Sequence, residues 1–215
     1  MKFYNAICDK LRNKEYFKFS RWGDGEWYCM DGYSGENRDG NKYTQELREH
    51  LWRIFRSAPD YYFPDYYFGI QHGVFYNNDL RELVINELFC NPELNLVDGD
   101  ILHKASEFGY LGQFVEALRG RNVTIIGAKY FEELPYKHIV TPEANSFTSN
   151  TVIIQNALQE YDNPVFLVAS AMNSNVIIDQ LPNGFTAIDI GSVFDPYLGR
   201  PRATYQRNMK FEWLW

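Results

Sequence analysis

This sequence is short of the residues that announce the commonest chemistries. Its 215 residues hold three cysteines and four histidines. Cys8, Cys29 and Cys90 are scattered, without the spacing of a zinc site or a redox pair. An odd, dispersed set reads as reduced thiols, and the expected compartment is the cytoplasm. No apolar run approaches the ~20 residues of a membrane span. The opening Met1-Lys2-Phe3-Tyr4-Asn5 lacks the apolar run of a signal peptide. No Gly-Lys-Ser follows a strand as in a Walker loop, and no G-x-G-x-x-G follows one as in a dinucleotide fold. No Ser/His/Asp or Cys/His order argues for a catalytic nucleophile. Positive charge is also scarce: 21 Lys and Arg face 28 Asp and Glu, a net charge of -7, which works against bulk attraction to nucleic acid or anionic membrane.

What is abundant is apolar and aromatic. Hydrophobic residues make up 45% and aromatics 17%, which excludes a disordered chain and leaves Tyr and Trp to line a cleft. The length fits a single domain over residues 1–215 with a real core. The stretch around which the chain is organised is Phe19-Ser20-Arg21-Trp22-Gly23-Asp24-Gly25-Glu26-Trp27. Tyr16 to Phe19 alternates aromatic with polar, so a short strand is expected to end in this acidic loop. Gly23 and Gly25 let the backbone turn or let a ligand approach. Asp24 and Glu26, without His or Cys nearby, suit a hard cation, Mg²⁺ or Mn²⁺, and Arg21 suits a phosphate oxygen. Asp-Gly is also a common turn pair, and a solvated polar turn is the plainer reading.

Helices are expected where Phe3, Ile7 and Leu11, then Leu47, Leu51, Ile54 and Phe55, fall on one face. Residues 31–42 read as a polar loop beside the acidic stretch. A second strand is expected at Tyr67 to Ile70. Asp79 and Glu82 read as the capping pair of a helix, and Phe108 to Leu118 as another helix. Strands then alternate with helices: Val123 to Gly127, His138 to Pro142, a helix from Ser149 to Tyr161, Val165 to Ala169, a helix from Asn173 to Leu181, and Thr186 to Gly191. That alternation predicts an α/β fold, a Rossmann-like, mostly parallel sheet with helices on both faces.

Ligands of such sheets bind beyond the C-terminal strand ends. The candidates there are Gly127 and Lys129, Asn145, Ser170 and Asn173 at a strand-to-helix turn, and Ser192. Asp195 is a candidate general base, as are His72 and His103 taken singly. Asp189 alternates inside an apolar strand, so pairing or function must explain it. Residues 200–215 form a basic aromatic tail, with Arg200, Arg202, Arg207 and Lys210 among Tyr205, Phe211, Trp213 and Trp215. It reads either as a cover that meets a diphosphate or polyanionic acceptor, or as a solvated tail anchored by aromatics.

These residues resemble a family. Arg21-Trp22-Gly23-Asp24-Gly25-Glu26 looks like the R-[aromatic]-G-D-G-E signature of GT-D-type glycosyltransferases. Val123 to Lys129, Pro142 to Phe147 and Thr186 to Ser192 resemble later blocks of that family in order and spacing. The resemblance implies a metal-dependent transfer of a sugar from a nucleotide sugar, usually a UDP-sugar, to an acceptor hydroxyl of a glycan or glycoconjugate. It maps the metal to Asp24 and Glu26, with Arg21, Trp22, Gly23 and Gly25 around the donor. Where the family shows a Gly-Pro-rich turn, this chain has Ser170-Ala171-Met172-Asn173. Two alternatives stay beside it: a glycosyltransferase acting on modified bases in DNA, and a non-catalytic nucleotide- or sugar-binding module.

Overall fold

The computed structural model of the protein describes residues 2–57, 65–160, 162–201 and 206. Of the C-terminal tail, only Arg200, Pro201 and Gln206 lie among them; the other tail residues, and Pro59, whose ring cannot continue a helix, lie outside the described residues.

The chain opens with helix α1 (Lys2–Arg12), strand β1 (Lys18–Trp22), and helices α2 (Asp24–Asp31) and α3 (Gln45–Ser57). Strand β2 (Tyr66–Ile70), helices α4 (Gly73–Tyr76) and α5 (Arg81–Cys90), strand β3 (Asn95–Asp98), and helices α6 (Ile101–Glu107) and α7 (Leu111–Leu118) follow. The second half is β4 (Asn122–Ala128), β5 (Lys137–Thr141), α8 (Asn150–Ala157), β6 (Pro164–Ala169), α9 (Asn173–Gln180) and β7 (Thr186–Asp189), with short 3₁₀ turns between. The strands form one seven-stranded sheet in the order β3-β2-β1-β7-β6-β4-β5, and every pairing is parallel.

Alternation along the strands divides the core. Phe17 and Phe19 face the side packed by Ile7, Leu11, Leu102, Phe114 and Leu118. Trp22, Phe68 and Ile70 face the other side, against Trp27, Leu51 and Phe55. Further along that side, Ile177 and Ile178 of α9 cover Phe166, Val168 and Ala187. Burial of this kind contributes ~25 cal/mol per Å² of apolar surface and fixes which way each strand faces.

Two expectations need correction, and one strand was not foreseen. The pair Asp79/Glu82 does not cap α5: the helix follows Leu80 with no side-chain cap, and Asn77 Oδ1 instead accepts the Asp79 N–H. The helix expected over Phe108 to Leu118 begins only at Leu111, because Gly109 at φ +76° separates it from α6 and Phe108 is left exposed. Edge strand β3 carries too short an apolar run, Leu96-Val97, to announce itself.

One buried charge sits away from the C-terminal strand ends. Lys18 is 2% exposed, and its Nζ donates to the carbonyls of Asp179 and Leu181 at the C-terminus of α9. Burial pushes this amine down to about 8 from its ordinary 10.5. The unfolded chain therefore binds more protons between those values, and the Lys18 contribution to stability rises with pH across that window. Urea unfolding at about pH 7.5 and about pH 9.5 is expected to show a gain for the wild type that Lys18→Met lacks.

Candidate active site

Strand β1 is where the sheet opens. Its register with β7 runs only from Lys18↔Ala187 to Phe19↔Ile188, whereas β1 and β2 pair through to Trp22↔Ile70. Beyond Phe19 the C-terminal ends of β1 and β7 part. The carbonyl of Arg21 accepts a hydrogen bond from Asn175 Nδ2 of α9 (3.0 Å). Crevices at such strand ends are where open parallel sheets bind ligands. Here the cleft is lined by Arg21, Asp24, Gly25 and Glu26 on one side and by Gly191, Ser192, Asp195 and Tyr130 on the other. Gln71, Met172, the 37–41 loop, Ala128, Glu143, Ala169 and Ala171 complete it.

The acidic stretch is a helix start rather than a loop. Asp24, Gly25 and Glu26 form the first turn of α2, and Gly32 at φ +96° closes that helix. Glu26 Oε2 accepts the Gly23 N–H (2.9 Å), and Asp24 Oδ1 accepts the Gly25 N–H (2.9 Å). The helix thus caps itself with its own carboxylates, which offsets its dipole and uses first-turn amides that a phosphate would otherwise take. Asp24 is exposed, while Glu26 is half-buried. Burial pushes the Glu26 carboxyl up to about 7, and the charge of Asp189 adds to that.

Arg21 lies across the cleft floor. Its Nε donates to Gly99 O (2.9 Å), and its Nη1 stands 3.9 Å from Asp189 Oδ1. Asp189 is 4% exposed; burial lifts it to about 6, against the pull of Arg21 and of the Gly191 N–H that it accepts (2.9 Å). The buried strand aspartate therefore has its explanation: it pairs with Arg21. Gly191 has φ +47°, and a Cβ there would collide with Arg21 Nη1. Gly191→Ala is expected to lower the melting temperature by ~2–8 °C, from ~1–2 kcal/mol of left-handed strain plus displacement of Arg21. A thermal melt identical to the wild type would show that Arg21 has room to move.

The far wall holds Asp195, fully buried at the edge of the cleft, whose Oδ1 accepts the Tyr130 hydroxyl (3.1 Å). The Arg200 guanidinium stacks on the Tyr130 ring at 4.2 Å and its Nη1 reaches Glu143 (3.4 Å), so the described start of the tail packs on this wall. Gln206 Nε2 donates to Ser192 O (3.1 Å).

Of the residues singled out from sequence, Arg21, Asp24, Gly25, Glu26, Ser192 and Asp195 meet in this cleft. Others do not reach it. Trp22 is fully buried, edge-on to Phe55 with its Nε1 on Ser20 Oγ, so it is a core residue. Gly127 lies under the Phe131 ring, and Ala128 takes its place at the cleft; Lys129 is exposed, and its neighbour Tyr130 points inward instead. Ser170 is buried, with its N–H on Ser174 Oγ and its hydroxyl on Thr141. Asn173 is buried with neither end of its amide hydrogen-bonded, beside a small cavity next to Phe147. Asn145, at φ +56°, ties down the 37–42 loop by accepting the Lys42 N–H (2.8 Å) and donating its own N–H to Asn41 Oδ1 (2.8 Å). Gly23 lies just behind the lining, with its N–H held by Glu26. His72 is exposed outside the cleft. Sequence reasoning missed Gln71, Tyr130 and the pairing of Arg21 with Asp189; none carries a local signal, because each is brought in by strand order.

Among the described residues no group of three His, Cys, Asp or Glu side chains is placed to hold a metal ion. No helix among them is long and apolar enough to cross a membrane.

No family model matches the chain, and no curated protein matches it. Solved structures do. The chain is similar to a domain of unknown function 1792 described as having a distinct glycosyltransferase fold, at 18% identity and TM-score 0.64 over 96% of this chain and 88% of that one. It is likewise similar to a glycosyltransferase of the same domain type from Streptococcus sanguinis, at 19% identity and TM-score 0.65 over 90% of this chain and 81% of that one. At such identity the likeness is one of fold, and the seven-stranded parallel sheet with its flanking helices is the glycosyltransferase fold described for that domain.

Proposed function

We propose that this protein is a glycosyltransferase that moves a sugar from a nucleotide sugar, a UDP-sugar first among them, to an acceptor hydroxyl in the β1/β7 cleft. The observation that carries the reading is the meeting, at the parted strand ends, of a floor arginine with the two α2 carboxylates and a buried aspartate on the opposite wall. The fold likeness supports it without assigning the chemistry.

Among the described residues the lining carries five carboxylates, Asp24, Glu26, Asp39, Glu143 and Asp195, against two cations, Arg21 and Arg38. A diphosphate entering that cleft is repelled unless a cation accompanies it. The donor set fits a hard cation: it is all oxygen, and Asp24 and Glu26 each keep one oxygen not used on the helix amides. Mg²⁺ or Mn²⁺ would be held there by Asp24 and Glu26, with phosphate and water oxygens completing its shell, and it would neutralise charge on the leaving diphosphate. The same excess of carboxylates speaks against DNA as the acceptor.

The chain's own groups divide the remaining work. Arg21 offers guanidinium N–H groups to a phosphate oxygen from the floor. Asp195 takes the proton of the acceptor hydroxyl, approached past Tyr130, whose hydroxyl orients it. Asp195→Asn is expected to leave donor affinity within ~2-fold and to cut transfer by ~10²-fold or more. Equal loss in donor binding would assign Asp195 to binding instead.

The test of the reading is a thermal-shift screen of nucleotide sugars with and without Mn²⁺, followed by donor hydrolysis with and without chelator. A donor at 100 times its dissociation constant stabilises by ~2.7 kcal/mol, a rise of ~5–10 °C for a chain of this size. No shift with any nucleotide sugar, in either condition, sinks it.

A further inference from the structure

His103 belongs to α6, on the face of the sheet toward which Arg21 points, and its Nε2 lies 3.2 Å from Ser192 Oγ. Ser192 lines the cleft, whereas His103 is not part of the lining. The other ring nitrogen, Nδ1, is sealed from solvent and has no hydrogen-bond partner. That asymmetry fixes the tautomer. A proton on Nδ1 would leave an orphaned N–H in a dry site, which costs more than an orphaned lone pair. A second proton is opposed by burial and by the nearby Arg21 charge, which hold the imidazole well below its ordinary pKa. The neutral ring therefore carries its one proton on Nε2 and donates it to Ser192 Oγ.

A hydroxyl that accepts from His103 still has its own proton to give. The buried side is already taken by the ring, so that proton is left for the cleft. Arg21 is its immediate neighbour: Nη1 abuts Gly191, and His103 Cε1 stands 3.4 Å from the Cβ that Gly191 lacks. We infer that His103 is a positioning residue that locks the Ser192 hydroxyl as a donor into the cleft, so that Ser192 and Arg21 form a paired anchor for an anionic phosphate oxygen of a nucleoside diphosphate. This inference rests on the donor reading above and adds the groups that recognise its phosphate.

The pair is tested first without any ligand. Long-range ¹H–¹⁵N correlation of the imidazoles near pH 7 should show His103 as the Nε2–H tautomer, and an Nδ1–H or doubly protonated ring overturns the inference. Binding of UDP with Mn²⁺ is then measured by calorimetry. Ser192→Ala and His103→Leu should each weaken it ~10-fold, as loss of one hydrogen bond to a charged group does, and the double variant should be no weaker than either alone. His103→Gln, whose amide can donate from the Nε2 position, should stay within ~3-fold of wild type. Uridine, which has no phosphate, should bind all four variants as it binds the wild type. Additive losses, or His103→Gln as weak as His103→Leu in a protein that melts normally, overturn the assignment. A wild-type protein that takes neither UDP, ADP nor GDP overturns the donor reading, and with it the phosphate as the target of the anchor; the tautomer is still decided by the NMR.

Discussion

Glu26→Gln is expected to raise the melting temperature of the metal-free protein while it removes transfer. The Glu26 carboxyl titrates near 4.5 in an ordinary setting and is pushed up to about 7 here, first by burial. The folded state thus holds a proton that the unfolded chain has released between those values. A carboxyl shifted upward costs stability above its unfolded pKa, and the cost reaches its full size above about pH 7. At ~1.4 kcal/mol per pKa unit the cost is on the order of 2–4 kcal/mol at pH 8, and it is absent near pH 4. Gln keeps the hydrogen bond from the Gly23 N–H, because an amide oxygen caps as a carboxylate does. What it loses is the buried charge, and with it the repulsion from Asp189. The gain should therefore be several degrees at pH 8 in chelator and should vanish at about pH 4.5. Transfer should fall by ~10²-fold or more, as on removal of a preorganised electrostatic contact. Asp24→Asn, at an exposed site, should lose transfer with no such gain. Glu26→Gln that melts with the wild type at pH 8 would show that the carboxylate is solvated after all.

Arg21→Ala is expected to damage the fold as well as the site. The guanidinium compensates Asp189, a carboxylate 4% exposed in the last residue of β7. Its removal strands that charge, and breaking a buried pair from one side costs ~3–5 kcal/mol. Asp189 already sits high, at about 6, because burial outweighs the pull of Arg21; without Arg21 it moves higher still. The variant should therefore be most destabilised above pH 7 and should recover as acid neutralises Asp189. Adding Asp189→Asn should restore much of the stability without restoring donor binding, which separates the pairing role from the phosphate role. Arg21→Lys should fold well but bind UDP more weakly, since an ammonium lacks the planar fork. Full stability in Arg21→Ala at pH 8 would mean that the two side chains do not depend on each other.

Much of the fold was legible because its signals are local. Val123 to Gly127, Val165 to Ala169 and Thr186 to Asp189 are apolar runs of strand length between helical periods, and a parallel sheet covered on both faces follows from that alternation. The strand-end rule led to segments that the structure brings to one cleft: Ala128, Glu143, Ala171, Met172 and Ser192 all line it. At the strand ends single residues were misplaced, as with Trp22 and Gly127. Which way a side chain faces at a strand end depends on register, and one position in either direction exchanges cleft for core.

By itself, then, the sequence determined the α/β alternation, the strand that runs into Asp24 and Glu26, and the strand ends that meet in the cleft. Strand order was left to the tertiary structure. Only the folding of β7, last in sequence, against β1, first in sequence, parts the sheet at Phe19. That contact sets Asp189 beside Arg21, adds the charge of Asp189 to the upward shift of Glu26, and brings Ser192 and Asp195 across from Glu26. Periodicity reports which face of an element is apolar; it carries no information on which distant element will cover that face, and the electrostatics of the cleft depend on that neighbour.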